Sequence, residues 1–211
     1  MALDRERILK SALRLVEREG LDALSMRKLG KELDVEAMSL YNHVKNKNDL
    51  LDGLHEIVLA EIPLFSSGDT WQEQAKSIAR NARLVLQAHP NTIPLFTSRP
   101  AVSHGSLRYL DHGLSVFLNA GFSKVDSIKA FQCIYAFVVG HVQFYAALQS
   151  STFGRVDYNK LPTTMFSNLV DCAEELLNRD VDVEFESGLE SMISGFQSTI
   201  VINRKIKKGS N

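Results

Sequence analysis

Between Ser25 and Asp49 the chain reads SMRKLGKELDVEAMSLYNHVKNKND, the stretch richest in side chains that could bond another molecule. Two short helical patterns meet there at a turn around Asp34, a residue that tolerates a left-handed backbone better than most. Leu29 and Leu33 face inward from the first pattern, and Val35, Leu40 and Val44 fasten the second. That leaves Ala37, Met38, Ser39, Tyr41, Asn42 and His43 outward, small and polar side chains suited to base edges in a DNA major groove. Arg27, Lys28, Lys31, Lys45 and Lys47 surround them with positive charge. The layout is that of a helix-turn-helix, whose second helix lies in the groove.

Other chemistry has little to stand on. The nearest approach to a catalytic or metal-binding group is His104, Asp111 and His112, but two histidines eight apart on a helix are separated by about 12 Å, too far to share one ion. The chain has two cysteines, Cys133 and Cys172, each in an apolar helical pattern. They are expected as buried thiols, with neither a disulfide framework nor a metal site. No enzyme, cofactor or metal is expected.

At 211 residues, 45% hydrophobic and 23% charged, the chain can bury a substantial core in one or two domains. Its net charge of −1 is small for a DNA-binding protein, but charge is segregated. The basic cluster surrounds residues 25–47, whereas Asp171, Glu174, Glu175, Asp180, Asp182, Glu184 and Glu186 crowd a late segment. A basic head on a partly acidic body fits a regulator better than a general nucleic-acid coat. No apolar run is expected to reach the roughly 20 residues needed to cross a bilayer, and MALDRERILK lacks the apolar stretch of a secretory signal, so a cytoplasmic protein is expected.

Nearly every segment carries the helical period, which predicts an all-α protein. A first helix runs from about Asp4, a good N-cap, to Glu19 before Gly20, with Ile8, Ala12, Leu15 and Val16 as its apolar stripe. Ser25 caps a second helix, in which Gly30 permits close approach of a neighbour. Asn46 caps a fourth, with Asp49 complementing its dipole, and that helix continues to about Ile62. The expected organisation is a DNA-binding head over 1–48, a connector helix over 49–62 and a body over 63–211. In the body, helices are expected at 71–89, 103–120, 125–149, 162–179 and 185–206, with an irregular proline-rich piece at 90–100. The helix at 125–149 is apolar almost all round and is expected to be buried on more than one side. Phe144, Gly188, Met192, Gly195, Phe196 and Thr199 are candidate dimer-interface residues, because symmetric operators require symmetric proteins and small residues let helices approach.

LDRERILKSALRLVEREGLDALSMRKLGKELDVEAMSLYNHVKNKNDLLDGL, followed by TW, TSRP, AGFS and FESGLE, resembles the tetracycline repressor family of transcriptional regulators. The resemblance is dense over the first sixty residues and persists as spaced landmarks beyond. It implies a homodimer of all-helical subunits, each with a three-helix head and a larger ligand-binding, dimerising body. The partners implied are a palindromic DNA operator and a small-molecule effector. The effector would move the connector so that the two recognition helices no longer fit successive major grooves.

Carried over position by position, the resemblance makes Arg27 a base contact, able to pair bidentately with guanine for about 1 to 3 kcal/mol of discrimination. Ala37, Met38 and Ser39 fall where bases are read. Ser25, Lys28, Tyr41, Asn42, His43 and Lys47 complete the expected DNA contacts, Lys47 at the start of the fourth helix where free amides favour a phosphate. In tetracycline repressors a His before the TRP-like stretch ligates the drug's magnesium, and an Asn on the preceding helix holds the drug. Leu95 and Ile78 stand in those places here, so an effector other than tetracycline, without a metal, is expected. Ile78, Ala82, Leu95, Phe96, Arg99, Phe117, Phe131, Gln132 and Tyr135, with His112 or His141 as further polar anchors, are the candidate lining of a largely apolar pocket. The alternative is a helical protein-interaction adaptor with a vestigial head.

Overall fold

The computed structural model describes residues 3–63, 68–99, 101–150 and 156–209, and the side chains at 149–150 and 199–209 fall outside that description. Thr199 is therefore not placed as a side chain, and neither is Pro100. Among the described residues there are eleven α-helices and no strand. They are α1 (Arg5–Glu19), α2 (Met26–Leu33), α3 (Ala37–Leu40), α4 (Lys47–Ala60), α5 (Trp71–Ala88), α6 (Ile93–Ser98), α7 (His104–Asn119), α8 (Lys124–Ser150), α9 (Thr163–Asp171), α10 (Ala173–Leu177) and α11 (Val181–Gly209). The chain packs as two units, Met1–Gln143 and Phe144–Asn211.

In the first unit, α1 begins where the Asp4 carboxylate accepts a hydrogen bond from the Arg7 amide at 2.8 Å. It ends at Gly20, whose φ of 85° few other residues would adopt readily. Ile8, Ala12, Leu15 and Val16 are buried along α1, which packs against α2 and α4, where Leu29, Leu50 and Leu54 are buried as well. Each large aliphatic side chain so buried contributes about 1.5 to 3 kcal/mol. Ser25 caps α2, and Asp34 closes it with φ 55° and ψ 45°, the left-handed conformation its sequence position called for. At Gly30 a Cβ would lie 2.9 Å from the Val35 carbonyl oxygen and 3.2 Å from the Ala37 nitrogen, so α2 and the start of α3 meet backbone to backbone.

Helix α4 starts from the Asn46 cap and packs against α1, α5, α6 and α7. The proline-rich segment is more ordered than expected: Pro90 opens a 3-10 turn and Pro94 sits in the first turn of α6. A missing N–H is harmless in those positions, where the donor would have no helical partner.

Four other expectations change. The helix expected at 162–179 is two, because non-helical angles at Phe166 kink α9 and the chain breaks at Cys172 before α10. Helix α8 buries only one stripe, including Ala130, Ile134, Val138 and Val142, while Val125, Ile128, Tyr135, Phe144 and Leu148 are exposed in the single chain. Both cysteines are also exposed. Cys133 points away from the buried stripe of α8, and Cys172 sits at the break between α9 and α10. By length and composition, residues 124–148 of α8 could cross a bilayer, with mean hydropathy 1.3, although no apolar run of that length was expected.

Replacing Gly30 with Ala should destabilise the head by about 1 to 3 kcal/mol, because the added methyl meets backbone that cannot rotate away. Denaturant unfolding followed by circular dichroism measures it; an unchanged midpoint would show that the turn can widen.

Candidate nucleic-acid interface and effector cavity

The outward face expected from the sequence is outward in the structure. Met38 is 74% exposed and Tyr41 44%. Arg27, Lys28, Asn42 and Lys47 are exposed too, and Ala37, Ser39 and His43 are half-buried. Regular helix covers only Ala37–Leu40, after which the chain continues through hydrogen-bonded turns, with the Val44 amide donating to the Leu40 carbonyl at 3.0 Å. Two of the expected DNA-contacting residues have partners within the chain. The Ser25 hydroxyl accepts from the Lys28 amide at 3.2 Å, and the Lys28 ammonium lies 3.0 Å from Glu19. Lys28 and Arg18 together hold the Glu19 carboxyl below its ordinary range.

A second set of residues positions this face. Arg5 donates to the His43 carbonyl at 3.2 Å and to both carboxylate oxygens of Asp49, at 2.8 and 3.0 Å. Asp49 also accepts from the Lys45 amide at 2.8 Å, while its own amide donates to the Asn46 side chain at 2.9 Å. One bidentate pair thus ties the start of α1 to the end of the reading segment and the first turn of α4. The hydrogen bonds from Arg5 are the main cause holding the Asp49 carboxyl below its ordinary value. Sequence reasoning gave Asp49 a dipole role and passed over Arg5, because an ion pair spanning 44 residues leaves no local periodic signal.

Behind the head, α4, α5, α6, α7 and α8 enclose a cavity of about 330 Å³ within the first unit. Of the candidate lining, Ile78, Ala82, Phe96, Arg99, Phe117, Phe131, Gln132 and Tyr135 border it. Leu95 does not; it is 1% exposed and packed in the surrounding core. His112 and His141 are also absent from the wall, which is built from other faces of α7 and α8. Polar groups at the wall are few. The Tyr135 hydroxyl donates to the Phe96 carbonyl at 2.8 Å, and the Tyr109 hydroxyl donates to the Ile62 carbonyl. Burial pushes both phenols above their ordinary pKa.

His55, which the sequence reading passed over, projects from α4 into this wall at 5% exposure, its ring 4.6 Å from that of Phe96. Burial, the largest influence, lowers its pKa and favours the neutral imidazole. Arg99 joins the cavity to α4: its Nε donates to Asp52 at 2.8 Å, and a terminal nitrogen donates to the Asn48 carbonyl at 3.3 Å. Asp52 and Asn48 were likewise not singled out. A histidine interrupting the apolar stripe of Leu50, Leu51, Leu54, Ile57 and Val58 was the available signal. Among the described residues no group of three or more His, Cys, Asp or Glu side chains is arranged to hold a metal.

In the second unit, Phe144 is 50% exposed, and Gly188, Met192 and Phe196 are half-buried. A Cβ on Gly195 would have open space around it within the single chain. Arg179 spans Glu184, at 2.6 Å, and the Tyr145 hydroxyl, at 2.6 Å.

Residues 8–54 match the family model described as bacterial regulatory proteins of the tetR family, and residues 63–200 match the tetracyclin repressor-like C-terminal domain. The chain belongs to the TetR family. TetR-family regulators bind operator DNA as dimers and respond to ligands, so this chain is a ligand-responsive DNA-binding transcriptional repressor. It is 30% identical over 200 residues to the class D tetracycline repressor protein of Escherichia coli, covering 92% of this chain and 89% of that protein. An HTH-type transcriptional regulator of Saccharopolyspora erythraea is 33% identical over 141 residues, 66% of this chain and 60% of the other. The crystal structure of the TetR family protein ActR of Streptomyces coelicolor in complex with actinorhodin superposes with a TM-score of 0.83 at 30% identity, covering 95% of this chain and 99% of that one.

Acid should expose the role of the Arg5–Asp49 pair. Because the folded carboxyl is depressed, the stability it contributes is complete above the ordinary value of 3.8 and is lost as pH falls through the lower folded value. Asp49→Asn should therefore lose less stability than the wild type between mildly and strongly acid solution, read from thermal unfolding at stepped pH. Parallel curves would remove Asp49 from the account of acid unfolding.

Proposed function

We propose that the TetR-family head of this chain reads a palindromic operator through Arg27, Ala37, Met38 and Ser39. Tyr41, Asn42, His43 and Lys47 set its register on the backbone, and Ser25 and Lys28 support the second helix. The organisation is a head over 1–48, a connector over 49–62 and a body over 63–211. The protein acts in the cytoplasm and is a regulator without catalytic activity.

The observation that carries the mechanism is Arg99. It borders the cavity and reaches Asp52 and the Asn48 carbonyl in the first turns of α4, next to Lys47. A small molecule that fills the cavity as far as Arg99 or the face of α4 beside it can shift the helix that leads to the reading surface. Ligand affinity then differs between two settings of α4, which thermodynamic coupling requires. The lining is mostly aliphatic and aromatic, which favours a largely apolar effector. That ActR binds actinorhodin supports a small-molecule effector here as well.

Selecting operator sequences with the full chain, then following binding by fluorescence anisotropy, tests the reading. Binding should be sequence-specific and fall steeply with salt, whereas a protein-interaction adaptor would show no specific shift. Arg27→Ala should relax base preference at one position of each half-site. Lys47→Ala should weaken all sequences alike and flatten the salt slope by about one unit. Equal losses on every sequence from both changes would refute the division between reading and positioning. Gly195→Phe, entering open space in the single chain, should lower dimerisation without unfolding the head; sedimentation showing an intact dimer would remove Gly195 from the interface.

A further inference from the structure

We infer that His89 is a positioning residue for the DNA-binding head: its ring shares one proton with Glu17 of α1 and Glu61 at the end of α4, so that the hold of the body on the head loosens as the solution turns alkaline.

The chain places the ring there for local reasons. Pro90 disfavours a helical conformation at the residue before it, so α5 stops at Ala88 and the 3-10 turn of Pro90–Thr92 begins after His89. That turn is well fastened. Thr92 is buried and donates to the His89 carbonyl twice, from its hydroxyl at 2.8 Å and from its amide at 3.0 Å. The turn packs against α1, α5 and α6, and the Asn91 side chain donates to the Glu17 carbonyl at 2.9 Å. The head is thus held in two places, through α4 and by this turn.

From that backbone the imidazole reaches between two carboxylates. Its Nε2 lies 2.9 Å from Glu61 and its Nδ1 3.4 Å from Glu17. The residues that flank it in sequence, Ala88, Pro90, Asn91 and Thr92, bring no charge. A neutral imidazole has a single N–H, so it can donate to one carboxylate only and turns a lone pair toward the other. The Glu17 side is the one left short: Glu17 Oε1 and His89 Nδ1 are both buried, and neither makes a hydrogen bond of ordinary geometry among the described residues. One more proton, on the imidazole or on Glu17, satisfies both sides.

Burial is the largest influence on Glu17 and raises its carboxyl above the ordinary value of 4.5, against the opposing pull of His89 and of the Asn91 backbone. A carboxyl raised by folding contributes its stability in full below the ordinary value and loses it as pH rises through the higher folded one. Once the proton has gone, a carboxylate faces a lone pair where the two side chains are only 14% and 26% exposed, and little water reaches them. The junction then keeps the Glu61 contact and gives up the one to α1. A head released there has more freedom to lose on meeting DNA, so its operator affinity falls.

The test restores the hydrogen without the proton. In Glu17→Gln a neutral His89 donates to Glu61 and accepts from the new amide, so both contacts survive in alkaline solution. Between mildly acid and mildly alkaline solution the wild type should lose about 2 to 4 °C more in melting temperature than Glu17→Gln, the share of about one hydrogen bond in a chain of this size. Its affinity for a selected operator, followed by anisotropy, should fall about fivefold further over the same range. Glu61→Gln supplies an N–H from the other side, at a half-exposed position, and should act alike; it decides the matter where Glu17→Gln folds poorly. In a His89→Gln background, Glu17→Gln should change the melting temperature equally at both pH values. The same pH dependence in the wild type and both glutamine variants overturns the inference. So does a difference that persists in the His89→Gln background, which would belong to the burial of Glu17 alone. Melting that follows the expected pattern while operator affinity does not would leave the shared proton in place and overturn the positioning role.

Discussion

Helix α4 is built into two hydrophobic neighbourhoods at once. Leu50 and Leu54, without exposed surface, sit with the core of the head, while His55 and Leu59 face the cavity and α4 also packs against α5, α6 and α7. Because packed cores deform in steps rather than continuously, such a helix cannot adjust to one neighbourhood without straining the other. Arg99 and Arg5 fasten this shared helix near its start, the one to Asp52 and Asn48 and the other to Asp49. Displacing α4 therefore has to reach the reading segment, whose His43 carbonyl is held by the same Arg5.

The two clamps differ in how they can be released. The Arg5 pair lies at the surface, with side chains 42% and 25% exposed, and water compensates much of any loss. The Arg99 pair is more enclosed, at 20% and 30%, and borders the space a ligand would fill. Separating partners there leaves polar groups with less access to water, so a ligand that replaces some of those bonds has leverage that one merely filling volume lacks. The few polar atoms of an otherwise apolar cavity are thus the ones positioned to convert occupancy into movement.

The head was legible from sequence because its determinants are local. Asp4, Ser25 and Asn46 cap the helices they precede, Gly30 and Asp34 shape one turn, and the apolar periods of α1 and α2 name their buried faces. The body was legible as a series of helices but less so as a site. Of the positions taken for its lining, Ile78 on α5 came with the resemblance, whereas Arg99's grip on Asp52 and Asn48 joins residues 47 and 51 apart, which no periodicity encodes. Expectations failed where apolarity was equated with burial, at Cys133 and along α8, since the pattern shows that a face must be covered without showing by what. The break at Cys172 was missed because neither Gly nor Pro marks it.

The brevity of α3 bears on how much information a subunit can extract from a duplex. With four residues of regular helix, only a handful of side chains come near base edges. Each correct contact contributes about 1 to 3 kcal/mol, too little for one half-site to stand out from the many decoys of a genome. Discrimination then comes from demanding two matching sequences, one for each subunit of the dimer.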